Sequence, residues 1–210
     1  NENTTSTTVT INILSGTDTQ SGLGLVQLQR KGAVLSGSAC GSYGSFSDVG
    51  TQSNTDTSYI DTVSGGQCYQ YRFETWDNVN NGVNYTSSNT VAVNTVPRIT
   101  SLGISPEEAI PTSVLNCNAT ILDGENTTMQ VEFIWLNGTT ETTSGNLSEV
   151  LNNTNTVITT LGCGNVSTGE TWFCKIKAFD GMHYSSYNTT NVTITGENGL
   201  CSADLSMRIV

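Results

Sequence analysis

Two stretches of this chain alternate apolar and polar residues around a cysteine, and a third alternates up to a tryptophan. They are Leu115 to Ile121 around Cys117, Trp172 to Ala178 around Cys174, and Met129 to Trp135. A period of two marks a half-buried strand, because successive side chains point to opposite faces of the sheet. Cys117 shares its apolar face with Leu115, Ala119 and Ile121. Cys174 shares its face with Trp172, Ile176 and Ala178. Trp135 lies on one face with Met129, Val131 and Phe133. No stretch has helical periodicity, and short strands between turn signals read as an all-β sandwich.

The chain has 210 residues, room for two domains of roughly 100 residues each. Its formal net charge is −11, with only seven Lys and Arg. That excludes nucleic acid, which is held by basic phosphate contacts, and electrostatic docking on anionic membranes. No segment approaches the roughly 20 apolar residues of a membrane span. The chain has neither an initiator Met nor a signal-peptide pattern, so it reads as a processed mature form or an excised fragment. A type IV pilin or archaellin would begin with a long apolar helix, whereas Asn1 to Thr8 is polar. Charged residues make up 12%. Thr, Ser, Asn and Gly therefore carry the surface, with attached glycans as a further source of solubility. Six cysteines without a CxxC pair favour disulfides over metal. Disulfides imply an oxidising compartment, and six cysteines allow 15 pairings.

In the first half, Thr8 to Leu14 and Leu25 to Arg30 read as strands, the latter with Val26 and Leu28 inward. A Gly/Ser-rich region from Ser36 to Ser47 carries Cys40. Cys68 to Trp76 is the clearest strand, with Tyr69, Tyr71 and Phe73 on one face and Cys68 on the other. Asp77 to Gly82 is a turn, and Ser88 to Asn94 closes the unit. Leu28 to Arg30, Cys40 to Phe46, and Cys68 to Tyr71 running on to Asn78 resemble the fibronectin type III or Ig-like modules of prokaryotic surface proteins. That resemblance covers residues 20 to 94. Pro97 sets the boundary, since it fixes its own φ and holds Val96 extended. The expected domains are 1–96 and 97–196, followed by a tail at 197–210.

In the second half, strands are expected at 99–105, 113–122, 129–136, 155–161, 170–179 and 187–195. Cys117, Trp135, Trp172 to Cys174, Ala178 to Gly181 and Tyr184 to Ser186 together resemble the Ig-like repeats of archaeal surface glycoproteins. The resemblance implies an inter-sheet Cys117–Cys174 bridge packed against Trp135. Trp172 departs from the pattern, standing where such domains have a tyrosine corner. The connectivity expected, one of the 15, completes this bridge with Cys40–Cys68 and Cys163–Cys201. Cys40–Cys68 would staple a loop to the outside of its sheet.

Asn-x-Ser/Thr sequons begin at Asn3, Asn84, Asn118, Asn126, Asn137, Asn146, Asn152, Asn165, Asn188 and Asn191. Before Pro97 two of ten Asn qualify, which is chance. After it eight of twelve qualify, against roughly three expected. N-linked glycans are therefore expected mainly on the second domain. Catalysis is not expected. His183, the only histidine, stands beside the Asp180-Gly181 turn and no nucleophile elbow is present. Glu107 and Glu108 sit in a Pro-flanked turn. Asp77 to Gly82 and Asp123 to Asn126 are oxygen-rich but lack EF-hand spacing, so they read as turns, with no metal or other cofactor. Lys175 and Lys177 point outward, away from a core where isopeptide bonds form.

Ala203 to Ile209 alternates again, with Leu205, Met207 and Ile209 on one side. The second sandwich has its strands by Ile194, so this segment is a spare strand suited to strand addition. The expected function is an extracellular structural glycoprotein, a subunit of a cell-surface filament (pilus-like) or coat whose partners are copies of itself. The alternative is a surface adhesin or glycan-binding module that contacts other surface proteins or glycans. It would need an exposed aromatic patch, for which Tyr43, Phe46 and Tyr59 are the candidates.

Overall fold

In the computed structural model the described residues are 2–14, 16–53 and 55–197. The chain divides between Thr95 and Val96 into two compact units, one residue before the break read from Pro97. Both are β-sandwiches.

The strands of the first unit are β1 (Glu2–Thr4), β2 (Thr8–Asn12), β3 (Leu23–Ser36), β4 (Ala39–Cys40), β5 (Ser47–Gln52), β6 (Ser58–Thr62), β7 (Gln67–Asp77) and β8 (Gly82–Val93). Six of them form one sheet in the order β1-β8-β7-β3-β4, with β5 also on β3; β2 and β6 form the other. Antiparallel register pairs Leu28 with Phe73, Arg30 with Tyr71 and Gly32 with Tyr69. Each pair shares a face, so the tyrosines expected inward do face Leu28. Val9, Val63 and Val93 complete a small core with Leu28, Tyr69 and Tyr71.

Cys40 and Cys68 are bonded, with Cα atoms 5.8 Å apart. Cys68 pairs with Ala33, on the face opposite Tyr69. The loop after Cys40 runs back along β3, where Gly41 and Gly44 amides donate to the Val34 and Gly32 carbonyls. The bridge therefore staples a loop to the outer face, as expected.

The second unit contains β9 (Arg98–Ser105), β10 (Leu115–Leu122), β11 (Thr128–Asn137), β12 (Thr140–Leu151), β13 (Thr156–Leu161), a 3-10 turn (Cys163–Asn165), β14 (Thr171–Phe179) and β15 (Asn188–Thr193). Its sheets are β13-β10-β9 and β12-β11-β14-β15. Cys117 on β10 bonds Cys174 on β14, with Cα atoms 6.3 Å apart, and so joins the sheets. Trp135 lies opposite Cys174 in the ladder and is fully buried. Its indole N–H donates to Thr159 Oγ1 at 3.4 Å. Trp172, at the tyrosine-corner position, donates its indole N–H to Glu170 Oε2 at 2.9 Å. The departure from a tyrosine corner therefore stands, with a local indole–carboxylate bond at this position in place of a tyrosine hydroxyl.

Five strands, β1, β4, β5, β6 and β12, have no counterpart in the sequence reading, and β8 begins at Gly82 rather than Ser88. Most of β12 is exposed on both faces and polar, so it carries no alternation to read. Its place comes from pairing with β11. Leu14, expected to end a strand, lies beyond β2 and is 97% exposed. Cys201, and with it the Cys163–Cys201 pairing, lies outside the described residues. So do Leu205, Met207 and Ile209.

Candidate functional site

The two sheets of a sandwich cover each other's apolar faces. In the first unit the cover is uneven: two strands face six. β1 does not extend the small sheet but runs parallel to the end of β8, pairing only with Val91 to Val93. Among the described residues, β2 therefore has no strand on the edge away from β6. β8 likewise has none along Gly82 to Thr90 on the edge away from β7.

A groove opens between these edges. It consists of two cavities of about 500 and 570 Å³ that share Leu14, Phe73 and Tyr85. Ile13, Leu23, Val26, Trp76 and Val83 line one end. Val9, Ile11, Tyr71 and Val91 line the other. Alternation along β8 makes this lining, with Val83, Tyr85, Ser87, Asn89 and Val91 turned to the groove. Val83 and Tyr85 are each 68% exposed, and Leu14 stands almost free. A contiguous exposed apolar patch marks an interaction surface, since water would otherwise border it.

The hairpin from β7 to β8 shapes one end. A Cβ on Gly82 would fall 2.7 Å from Trp76 Nε1, so a glycine is what lets the indole lie across the hairpin. Asp77 caps the turn. Its Oδ1 accepts the amides of Asn81 at 2.8 Å and Val79 at 2.9 Å. Its Oδ2 accepts Asn81 Nδ2 at 2.7 Å and Ser21 Oγ at 2.8 Å. The Asn81 amide, and then the other donors, hold the Asp77 carboxyl down at about 2. Asp18 is also lowered, chiefly by the Ser21 hydroxyl. Both carboxylates line this end of the groove.

Behind the other end, Asp61 of β6 accepts Arg30 Nη1 at 2.6 Å and the Tyr71 hydroxyl at 2.8 Å. Arg30 comes from β3 and Tyr71 from β7, so the three groups tie the small sheet to the large one. Burial, and then Asp61, push the Tyr71 hydroxyl well above its ordinary value.

Of the sequon asparagines, Asn3, Asn84, Asn146, Asn165, Asn188 and Asn191 are exposed, and Asn118, Asn126, Asn137 and Asn152 are half-buried. Some side-chain amides are already engaged. Asn118 Nδ2 donates to Ser105 Oγ at 2.9 Å and to the Asn116 carbonyl at 3.1 Å. Asn152 Nδ2 donates to the Asp123 and Asn126 carbonyls, both at 2.8 Å. Asn126 Nδ2 donates to Asp123 Oδ1 at 3.0 Å, and Asn165 Nδ2 to the Gly162 carbonyl at 3.3 Å.

Tyr43, Phe46 and Tyr59 do not form an exposed patch. All three are half-buried. Lys31 lies over both Tyr43 and Phe46, and Arg72 lies 4.3 Å from the Phe46 centroid. Tyr59 donates its hydroxyl to the Val49 carbonyl. Among the six Lys and Arg of the described residues, Arg30, Lys31, Arg72, Lys175 and Lys177 stand over aromatic rings. Asp180 Oδ1 accepts the amides of Met182 and His183, both at 2.6 Å, which makes that segment a turn. Asp123 Oδ1 does the same for Glu125 and Asn126. Among the described residues no three His, Cys, Asp or Glu converge to hold a metal.

The sequence reading missed the groove. Each strand that lines it reads as an ordinary half-buried strand. What makes the groove is the number of strands in the small sheet, which no single segment encodes.

Strand order and register make the chain a tandem pair of fibronectin type III/Ig-like β-sandwiches. No family model matches it, and no curated protein does. Solved structures with similar folds include a two-domain fibronectin type III segment of chicken tenascin. That likeness has 12% identity and a TM-score of 0.45, covering 90% of this chain and 93% of that one. Fibronectin(III)-like modules of Clostridium thermocellum CbhA match at 11% identity and a TM-score of 0.35, with 92% and 89% covered. The FN1–FN3 domains of chicken CNTN1 match at 11% and 0.35; this chain covers 62% of that structure, less than two thirds.

Proposed function

We propose that this chain is an extracellular structural glycoprotein of the archaeal surface type, a subunit of a cell-surface filament or coat rather than an enzyme. Copies join by strand addition. The segment Ala203 to Ile209 of one copy enters the groove of the first sandwich in the next. The observation that carries this reading is the groove itself, with an apolar floor flanked by polar side chains and bordered by two strand edges without partner strands among the described residues. Leu205, Met207 and Ile209 recur every second residue, a spacing of about 7 Å along a strand. Three apolar side chains can then enter the groove while the backbone pairs with an edge. Such a contact is heterologous, and repeated head to tail it gives an open filament. Two disulfides support an oxidising, extracellular setting. The sequon density after Pro97 supports glycosylation.

Deletion of Ser202 to Val210 from the full chain tests the reading. The expected result is loss of filaments on negative stain, with both sandwiches still folded and both bridges intact. A synthetic peptide of residues 202–210 should then bind the truncated chain. Binding should weaken when Tyr85→Asp puts a charge in the groove. Normal filaments from the truncated chain would overturn strand addition through this segment. Truncated and complete chains that are both monomeric would favour a segment folded into its own groove.

A further inference from the structure

The outer face of β14 carries Phe173, Lys175, Lys177 and Phe179, because Trp172, Cys174, Ile176 and Ala178 take the inward positions. Three of the four have partners on that face. Lys175 lies 4.3 Å from the Tyr187 centroid. Lys177 lies 3.9 Å from that of Tyr184 and 2.9 Å from the Glu132 carboxylate. Phe179 stacks on Tyr184 at 4.5 Å. Among the described residues, Phe173 has no ring or cation against it. Its direct neighbours across the sheet are Leu136 on β11 and Asn191 on β15.

Asn191 begins the sequon Asn191-Val192-Thr193. Val192 and Ile194 are buried, so Asn191 projects from the same outer face as Phe173. It is exposed, and among the described residues its amide nitrogen has no acceptor of the kind that Asn118 and Asn152 have. Directly opposed residues of an antiparallel pair hold their Cβ atoms about 4.5–5.5 Å apart. A pyranose linked to Nδ2 has a face made largely of C–H bonds. The face of a phenyl ring carries the negative side of its quadrupole and attracts such bonds.

We infer that an N-linked sugar on Asn191 lies against Phe173, which makes this outward ring a platform for the first residue of the glycan. The inference rests on the glycosylation reading above. Other sequon positions lack the arrangement. Asn84 stands opposite Glu74, Asn146 opposite Glu132, and Asn118 opposite Gly103 and Val157. Asn137 stands opposite Trp172, whose ring is buried on the inward face. The platform gives Phe173 a reason to be aromatic on a solvent face. It also places the sugar over the apolar row of Phe173 and Leu136.

The test is a double-mutant cycle on the full chain from a host that attaches its glycans. It uses Phe173→Leu and Asn191→Gln, singly and together, with glycopeptide mass mapping of residue 191. Phe173→Leu should lower the melting temperature of the second sandwich by about 4 °C or more when Asn191 is intact. In the Asn191→Gln background the shift should fall to about 1 °C or less. Phe173→Tyr, which keeps the ring, should behave as the parent. Equal shifts in both backgrounds, with a sugar present on Asn191, would overturn the platform and leave glycosylation standing. A bare Asn191 in the native protein would overturn both at this position.

Discussion

The carboxylate of Asp61 meets the guanidinium of Arg30 at 2.6 Å inside the first sandwich. The Tyr71 hydroxyl reaches the same oxygen. Asp61 is only 6% exposed, so these two donors replace the water it would otherwise bind. Removing one partner leaves the others unsatisfied. Asp61→Ala should destabilise the first sandwich by about 2–3 kcal/mol in denaturant unfolding. Replacing all three groups by apolar ones (Arg30→Met, Asp61→Leu, Tyr71→Phe) should be much closer to neutral. If the triple variant proves as unstable as Asp61→Ala, the network is more than compensation for its own burial.

Tyr71 also sets an alkaline limit. Its folded pKa lies above the ordinary 10.0. The folded state therefore binds this proton more tightly than the unfolded chain. The contribution is complete below pH 10 and declines as the pH climbs beyond it. The first sandwich should lose stability above about pH 10. In Tyr71→Phe that part of the decline should be absent, as measured by urea midpoints across the range.

Asp77 sets the opposite limit. Its folded pKa of about 2 lies below the ordinary 3.8. Its contribution is present above pH 3.8 and is lost as the pH falls toward 2. The β7–β8 hairpin should therefore loosen in acid, seen as a loss of protection of the Val79 and Asn81 amides relative to their intrinsic exchange rates at each pH. Asp77→Asn should show that loss of protection already at neutral pH.

The two bridges close loops of different lengths, with sequence separations of 57 and 28. Chain entropy alone predicts a loss of about 4 kcal/mol for opening Cys117–Cys174 and about 3.5 kcal/mol for Cys40–Cys68. Cys117–Cys174 also lies in the core under Trp135, so a double Ala variant leaves a cavity as well. That variant should lower the denaturant midpoint of the second sandwich by clearly more than the Cys40 and Cys68 variant lowers that of the first. Equal losses would mean that the core position of the bridge adds nothing.

Asn152 and Asn191 are both sequons but should behave differently. Asn152 accepts the Asp123 amide at 3.1 Å and donates to two carbonyls, joining the turn after β10 to the turn after β12. Asn152→Ala should cost about 2 kcal/mol. Its Nδ2 should be bare in mass mapping, because a linked sugar would displace one of the two donated bonds. A glycan found on Asn152 in folded protein would contradict this geometry.

The alternation around Cys117, Trp135 and Cys174 was enough to read the second sandwich and its inward faces, while the pairing of its bridge came from the resemblance to Ig-like repeats. The period-two signal is local, and a strand buried on one face must show it. Tyr69, Tyr71 and Phe73 announced the main strand of the first sandwich in the same way. The sequence also settled the outward course of Lys175 and Lys177. It could not reveal β12, where Thr140 to Leu151 is mostly polar on both faces and owes its extension to the neighbouring β11. Nor could it reveal that Tyr43 and Phe46 lie under Lys31 and Arg72, since those contacts cross between segments. The groove of the first sandwich belongs with these. It exists because β1 pairs with β8 and leaves β2 at an edge. That choice of partner lies in the assembled sheets and in no one strand.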